Sequence, residues 1–255
     1  MKNLYTSTAW LYDMDNRDVY TDDIPFYIDY AKKQGGEVLE LACGTGRVSI
    51  PIAEAGINVT GIDLSPEMLN VFQNKLNDKP ELSGKVNLIH GNIAHFELKR
   101  KFPLIIIPFR AFLCLTDEQD IANSLACIYK HLTDDGLFII DVFNTHKNLD
   151  NWCGEEKIQW ENLDESSGNR IVKKAGQDKI DLVNRIMYCH STYEVTTPDG
   201  KTEFFTEELK IKYYYNEQLR AVIEKAGMEI VEEYSWYDKS PPGGREIIFV
   251  CRRKM

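Results

Sequence analysis

Residues 38–47 read VLELACGTGR, and VTGIDLS follows at 59–65. A short apolar strand thus runs into a loop of small residues and then into a helix, the arrangement in this chain best suited to holding a ligand. Gly44 and Gly46 lack a Cβ, so they admit unusual dihedrals and let a ligand come close to the backbone. Glu40 stands in the strand just ahead of the loop. Asp63 ends the next strand, roughly 20 residues on, where an acid accepts hydrogen bonds from both hydroxyls of a ribose. In an open α/β sheet, ligands bind at the carboxyl ends of the strands, where the strand order reverses. The first strand delivers the glycine loop to that place.

A dinucleotide site and another kind of adenosine site share these features, and three observations separate them. The fingerprint G-x-G-x-x-G requires a small third residue, whereas the frame Gly44-Thr45-Gly46-Arg47-Val48-Ser49 ends in serine. Glu40 aimed at a pyrophosphate would repel it, but beside a cationic ligand it is favourable. The chain also closes with two adjacent strands after its last helix, which suits a hairpin edge rather than another βαβ unit.

The elements that position these residues alternate. DDIPFYIDYAKKQ (22–34) reads as a helix ended by Gly35 and Gly36, EVLELA as a buried strand, and GRVSIPIAEAG as a helix with Pro51 early in it. NVTGID is a second strand, and SPEMLNVFQNKLND a second helix with Ser65 at the N-cap and Pro66 at its first position. VNLIHGN and FPLIIIPF read as strands, TDEQDIANSLACIYKHL as a helix, and GLFIIDVF as a strand entered through the turn DDG. Strand–helix alternation implies parallel pairing with right-handed crossovers.

From about residue 150 the rhythm changes to KIQWENL, RIVKKAG, IDLVNRIMYCHSTYEVTT and TEFFTEELKIKYYY, with TPDG as a hairpin turn and no helix between them. These strands are expected to pair antiparallel. NEQLRAVIEKAG, MEIVEEYSWYD and REIIFVCRRK follow as one helix and two strands. The fold class is therefore α/β: a Rossmann-like, doubly wound, seven-stranded, mostly parallel sheet with an antiparallel β insert before the last helix. The expected organisation is a ligand-binding core over 1–148, the insert over 149–215 and a completing segment over 216–255. The insert is expected to form a lid on the ligand crevice; the alternative is a sheet that extends the core.

Composition narrows the class. The 255 residues are 43% hydrophobic and 11% aromatic, as in ordinary globular proteins, and the net charge of −10 argues against a binder that neutralises nucleic-acid phosphates. The N-terminal stretch has no signal-peptide core, and FPLIIIPF is too short to span a bilayer. Cys43, Cys114, Cys127, Cys153, Cys189 and Cys251 are scattered without metal-ligand or disulfide spacing. A soluble, cytoplasmic protein with reduced thiols, no metal and no membrane partner is expected; oligomeric state leaves no signal.

VLELACGTGRVSIPIAEAGINVTGIDLSPEML resembles the first two motifs of class I S-adenosylmethionine-dependent methyltransferases. The family pattern E/D-x-G-x-G-x-G falls on Glu40 to Gly46, with Ala42 in place of the first glycine. HGNIAHFEL resembles the motif that borders adenine, FPLIIIPFRAFLCL the fourth strand and its loop, LTDDGLFIIDVF the entry to strand five, and TAWLYDM the A-x-x-Y-D segment of small-molecule members. The resemblance covers about residues 9 to 145 and, weakly, the end of the chain.

The resemblance implies S-adenosylmethionine as cofactor, S-adenosylhomocysteine as product, and a small-molecule methyl acceptor methylated at N or O. It implies that backbone N–H groups of the Gly44–Gly46 loop, next to Ala42, meet the methionine portion, that Glu40 lies near its amino group or sulfonium, and that Asp63 holds the ribose. Leu64 and Met68 would pack on the adenine, Asn92 would accept from its amino group, the Ile93 N–H would contact the ring, and Phe109 would join them from the loop after strand four. Tyr12 is either an aromatic over the cofactor or a core tyrosine. His146, beyond strand five, and Tyr12 are the catalytic candidates; an amine acceptor needs no base, whereas a hydroxyl would want one. Arg110 meets a carboxylate or forms a structural ion pair. Tyr213 and Tyr215 are candidates on the acceptor side, because strand alternation prevents Tyr213, Tyr214 and Tyr215 from all facing one way. Alternatives are an RNA or protein methyltransferase using Arg170, Lys173 and Lys174, an inactive cofactor-binding regulator, and an NAD-dependent oxidoreductase.

Overall fold

The computed structural model describes residues 3–17, 21–145 and 154–254. The alternating segments form β1 (Val38–Leu41), β2 (Val59–Asp63), β3 (Val86–His90), β4 (Phe102–Ile107) and β5 (Leu132–Phe143). With β10 (Met228–Tyr234) and β11 (Glu246–Arg253) they make a seven-stranded sheet in the order β10-β11-β5-β4-β1-β2-β3. β1 pairs in parallel with both β2 and β4, so the strand order reverses at β1, directly under the glycine loop. β11 is antiparallel to both β5 and β10, the expected hairpin edge.

Both faces of this sheet are buried, which the alternation along β4 makes plain. Phe102, Ile105 and Ile107 enter one apolar cluster, and Leu104 and Ile106 enter the other. Helices α1 (Ile24–Gln34), α2 (Ser49–Glu54), α3 (Pro66–Asn77), α4 (Glu118–His131) and α5 (Asn216–Lys225) cover the faces. Their ends follow local chemistry. Ser65 Oγ accepts from the Met68 N–H at 3.2 Å at the start of α3, Asp117 caps α4, and α1 stops at Gly35, whose φ is +65°.

A second, four-stranded antiparallel sheet runs β6 (Gly154–Leu163), β7 (Arg170–Asp181), β8 (Ile186–Thr196) and β9 (Thr202–Lys212) in chain order. It is a separate sheet rather than an extension of the core. The TPDG hairpin is present, with the Thr197 N–H bonded to Lys201 O at 2.9 Å and Gly200 at φ +86°.

Two expectations are corrected here. IDLVNRIMYCHSTYEVTT is not one strand: β7 ends at Asp181, whose carboxylate accepts from the Val183 and Asn184 N–H groups and turns the chain into β8. The DDG segment is not a turn before β5 but an irregularity inside it. The β4–β5 register jumps from Phe102↔Leu132 to Leu104↔Leu137. At Gly136 an added Cβ would sit 2.8 Å from Thr133 Oγ1 and 3.1 Å from the Phe102 carbonyl oxygen.

Candidate active site

The carboxyl ends of β1, β2, β4 and β5, the N-terminal segment and one face of the second sheet enclose a cavity of about 1330 Å³. Single small-molecule sites usually measure ~300–1,000 Å³, so this volume accommodates two compact ligands side by side. Along β7, β8 and β9 the lining residues mostly alternate, with Lys173, Ala175 and Gln177, then Met187, Cys189, Ser191 and Tyr193, then Glu207, Leu209 and Ile211; the facing pair Gly176 and His190 interrupts the alternation.

The core side of the cavity carries the glycine loop. Glu40 is only 2% exposed, and burial pushes its carboxyl up to about 8 although Ser49 Oγ donates to it. A buried acid of this kind receives a cation readily and a phosphate poorly. Asp63 is held on both oxygens: Gly44 N–H donates to Oδ2 and Ser65 N–H to Oδ1, each at 2.8 Å. Burial raises its pKa against the lowering effect of those backbone donors. Ala42, at the position of the family's first glycine, has φ +58°, a left-handed conformation that a Cβ makes costly. Cys43 is a buried filler, its sulfur packed where a Cβ on Gly61 would lie at 2.7 Å.

Tyr12, Glu40, Ala42, Gly44, Asp63, Leu64, Met68, Ile93, Phe109 and Arg110 all line the cavity. Arg110 is committed to Glu246, with Nε 3.0 Å from Oε2 and Nη2 on Oε1, so it acts as an ion pair in the wall. Phe109 and Arg110 occupy consecutive left-handed conformations, φ +56° and +64°, at the tip of β4.

Other expectations are not met. Gly44 N–H is taken by Asp63, and Gly46 N–H by the Cys43 carbonyl at 3.0 Å, so neither is directed at a ligand. Gly46 lies outside the lining because it serves packing: a Cβ there would fall 2.4 Å from the Phe72 ring. Asn92 also lies outside, its Oδ1 accepting from the Ala94 N–H at 2.9 Å to hold its own loop. Tyr213 and Tyr215 stack edge-on at 6.1 Å in a satellite cluster behind the wall, and Tyr214 is in the main core. His146 lies outside the described residues. Of the basic trio in β7, Arg170 pairs with Glu161 and Lys174 with Glu194, leaving only Lys173 toward the cavity.

Several lining residues were given no role by the sequence. Arg47 pairs bidentately with the fully buried Asp23, Nη1 at 2.5 Å and Nη2 at 2.6 Å, and lies over the Phe109 ring at 4.5 Å. On the insert face, Tyr193 Oη donates to Glu207 Oε2 at 3.4 Å, whereas Glu207 Oε1, Gln177 Nε2 and Trp160 Nε1 are buried with no partner among the described residues. Tyr5 stands edge-on to Tyr12 at 5.7 Å. Burial raises the Tyr5 hydroxyl strongly, and nearby Tyr12, Cys114, Glu207 and Tyr193 raise it further. Alternation in an antiparallel strand was the available signal for Tyr193 and Glu207, but it does not say which face meets a ligand.

The N-terminal segment ties the two sides together. Leu11, in a short 3-10 turn (Ala9–Met14), is buried with Trp160, Ile171 and Tyr193, while Asp13 accepts from Thr45 Oγ1 at 2.8 Å. Among the described residues no cluster of His, Cys, Asp or Glu is arranged for a metal ion, and no helix is long and apolar enough to cross a membrane.

A family described as "Methyltransferase domain" matches residues 38–136. A putative methyltransferase of Geobacillus sp. (strain WCH70) is 25% identical over 98% of this chain and 99% of its own length. A dTDP-3-amino-3,4,6-trideoxy-alpha-D-glucopyranose N,N-dimethyltransferase of Streptomyces venezuelae is 21% identical over 92% of this chain and 97% of its own. Among solved structures, an S-adenosylmethionine-dependent methyltransferase from Clostridium acetobutylicum ATCC 824 superposes with a TM-score of 0.80 at 20% identity, covering 98% of this chain and 99% of that one.

Proposed function

From the premise that this chain is a class I S-adenosylmethionine-dependent methyltransferase, we propose that it methylates a nitrogen of a small amine in the cytoplasm. The observation that carries the choice of nitrogen is Glu207. Its free carboxylate oxygen is buried in the cavity wall beside Tyr193 and close to Tyr5, which itself stands edge-on to Tyr12. A carboxylate among aromatic faces suits an ammonium and its methylated product. The full-length likeness to a relative named for N-methylation of an amino sugar agrees with this reading. A cavity walled by the core loops on one side and the insert on the other favours a compact acceptor over a polymer, and the five described cysteines, all free thiols, suit a reducing compartment.

The residues present fit the cofactor: a desolvated acid for a cation, a pre-oriented acid for a diol and an apolar shelf for a base. Glu40 would meet the cationic methionine end, Arg47 its carboxylate, and Asp63 the ribose; Leu64, Met68 and Ile93 would flank the adenine. S-adenosylmethionine, when bound, supplies a methyl group already activated on a sulfonium. The protein's own part is alignment, an effect worth up to roughly 7–11 kcal/mol in favourable cases. Tyr12 and Tyr193 orient the acceptor, and Glu207 takes the proton that an ammonium must lose before its lone pair is available.

Calorimetric titration with S-adenosylhomocysteine, with NAD as control, followed by mass-spectrometric screening of amines, phenols and carboxylates, tests the reading. The expected result is saturable binding of S-adenosylhomocysteine alone and methylation confined to amines. Methylation of hydroxyls only would refute the choice of nitrogen, and binding of NAD alone would refute the cofactor.

A further inference from the structure

Besides the exposed Lys157 on β6 and His190, which lies beside Glu156 and Asp178, the insert lines the cavity with two opposite charges flanking one tyrosine. Tyr193 on β8 faces Lys173 on β7 directly across the strand pair, and Glu207 on β9 stands opposite Ser191, one inward position along from Tyr193. Neighbouring strands are about 4.8 Å apart and the two positions are offset by two residues, about 6.8 Å along the strand, so the backbones bearing Lys173 and Glu207 are separated by about 12 Å, a span that their side chains and a small molecule bridge together. The Lys173 ammonium lies over the Tyr193 ring at 4.9 Å and has no hydrogen-bond or ion-pair partner among the described residues. Its neighbours along the strand are neutralised: Arg170 Nε lies 2.7 Å from Glu161 Oε1, and Lys174 pairs with Glu194.

A desolvated lysine without a carboxylate is costly unless a ligand completes it. Burial pulls its pKa below the ordinary lysine range, while Glu207 and Asp15 raise it. Asp15 cannot serve as the missing partner, because Arg17 holds it through Nε at 2.8 Å and Nη2 at 2.5 Å. Glu207 is turned toward Tyr193 and keeps one oxygen open. Among the described residues each charge is therefore incomplete, and each is completed by the opposite charge on a ligand. Gln177 Nε2 and Trp160 Nε1, both buried donors without partners, line the same face and suit acceptor oxygens on that ligand.

We propose that the methyl acceptor is zwitterionic, its amine held at Glu207 and a carboxylate or phosphate of the same molecule held at Lys173. This rests on the amine reading above and adds the second recognition group. An acceptor with an amine alone would leave Lys173 uncompensated, and one with an anion alone would leave Glu207 so.

The test uses matched pairs of amines that differ only in the anion: β-alanine and its amide for carboxylate, phosphoethanolamine and ethanolamine for phosphate, and a 3-amino-sugar 1-phosphate with its free sugar for a larger phosphate. Turnover is read as S-adenosylhomocysteine formed, and binding to the S-adenosylhomocysteine complex is read by fluorescence of Trp160 and its tryptophan background. In at least one pair the anionic member is expected to exceed its neutral partner at least about tenfold in both kcat/KM and affinity. The pair that responds identifies carboxylate or phosphate. Lys173→Met is expected to collapse that ratio toward one by raising KM more than it lowers kcat, and Lys173→Arg to restore most of it. Unchanged affinity for S-adenosylhomocysteine in both variants shows that the fold is intact.

Amines methylated or bound without regard to the anion would overturn the zwitterion and leave the amine reading standing, as would a ratio that survives Lys173→Met. Methylation of hydroxyls only, or no turnover or binding by any member, would overturn both.

Discussion

Asp63 does two jobs with one side chain. Its oxygens fix the Gly44 and Ser65 N–H groups, and the same carboxylate faces the cavity where the ribose is proposed to bind. Asp63→Ala removes the acceptor for two partly buried donors, each worth about 1–3 kcal/mol when stranded, so both folding stability and cofactor affinity should fall. We expect at least about tenfold weaker S-adenosylhomocysteine binding by calorimetry, together with a lower urea midpoint. Wild-type affinity in the variant would remove Asp63 from the site. Ala42 beside it shows that a ligand loop tolerates strain: its φ of +58° is the geometry for which the family's usual glycine is suited.

The two loop glycines look equivalent in the motif, but the elements they join distinguish them. Gly46 leads into α2 with its Cα pressed against α3, where a Cβ would lie 2.4 Å from the ring of fully buried Phe72, and its φ is +83°. Gly44 has φ +53° and nothing within 4 Å of the added atom. Gly46→Ala should therefore cost the left-handed penalty plus overpacking, about 2–5 kcal/mol in all, and Gly44→Ala only about 1–2 kcal/mol. Urea unfolding of the two variants measures the difference. Equal losses would mean that α3 yields to the intrusion. The same scale explains the insert, which is held against the core by Leu11 of the N-terminal segment and by Lys212 Nζ, 2.6 Å from Glu118 Oε1.

Across the whole molecule, buried acids set the pH behaviour. Burial pushes Glu40 up to about 8 and Asp141 up to about 7, the latter despite the Tyr237 hydroxyl donating to it at 2.6 Å. Asp141 also accepts from Tyr27 Oη and the Arg110 N–H, so it links α1, the β4 tip and the segment before β11. Both acids hold protons more tightly folded than unfolded, so the unfolded chain binds fewer protons and stability falls as pH rises from about 4 to about 8. Surface acids whose pKa is lowered, such as Asp29 beside Lys239 and Lys33, titrate below that window. The ligand-free melting temperature should therefore decline from pH 5.5 to 8. A cation beside Glu40 draws its proton off, so the S-adenosylhomocysteine-induced rise in melting temperature should grow over the same range and flatten in Glu40→Gln. A shift independent of pH in the wild type would place the cationic end of the ligand elsewhere.

The alternation of apolar strands and helices, the caps at Ser65 and Gly35, and the acids at positions 40 and 63 were legible in the sequence, because local periodicity and turn chemistry act over a few residues. Parallel pairing with crossovers followed from the general chirality and packing of βαβ units, whereas the order of the strands came from the tertiary structure. Which side of the insert meets the ligand was not legible. Period-two alternation marks two faces of β7, β8 and β9 but does not rank them, and only the packing of Leu11 and the core behind them turns Lys173, Tyr193 and Glu207 inward. For the same reason Tyr213 and Tyr215, the aromatic pair most visible in the sequence, lie behind the wall. Asn92 and the Gly46 N–H went to partners two and three residues away, and the Gly44 N–H to Asp63 on the next strand, because a polar group withdrawn from water takes the nearest donor or acceptor the fold supplies, and a family motif does not reveal that such a partner is in place.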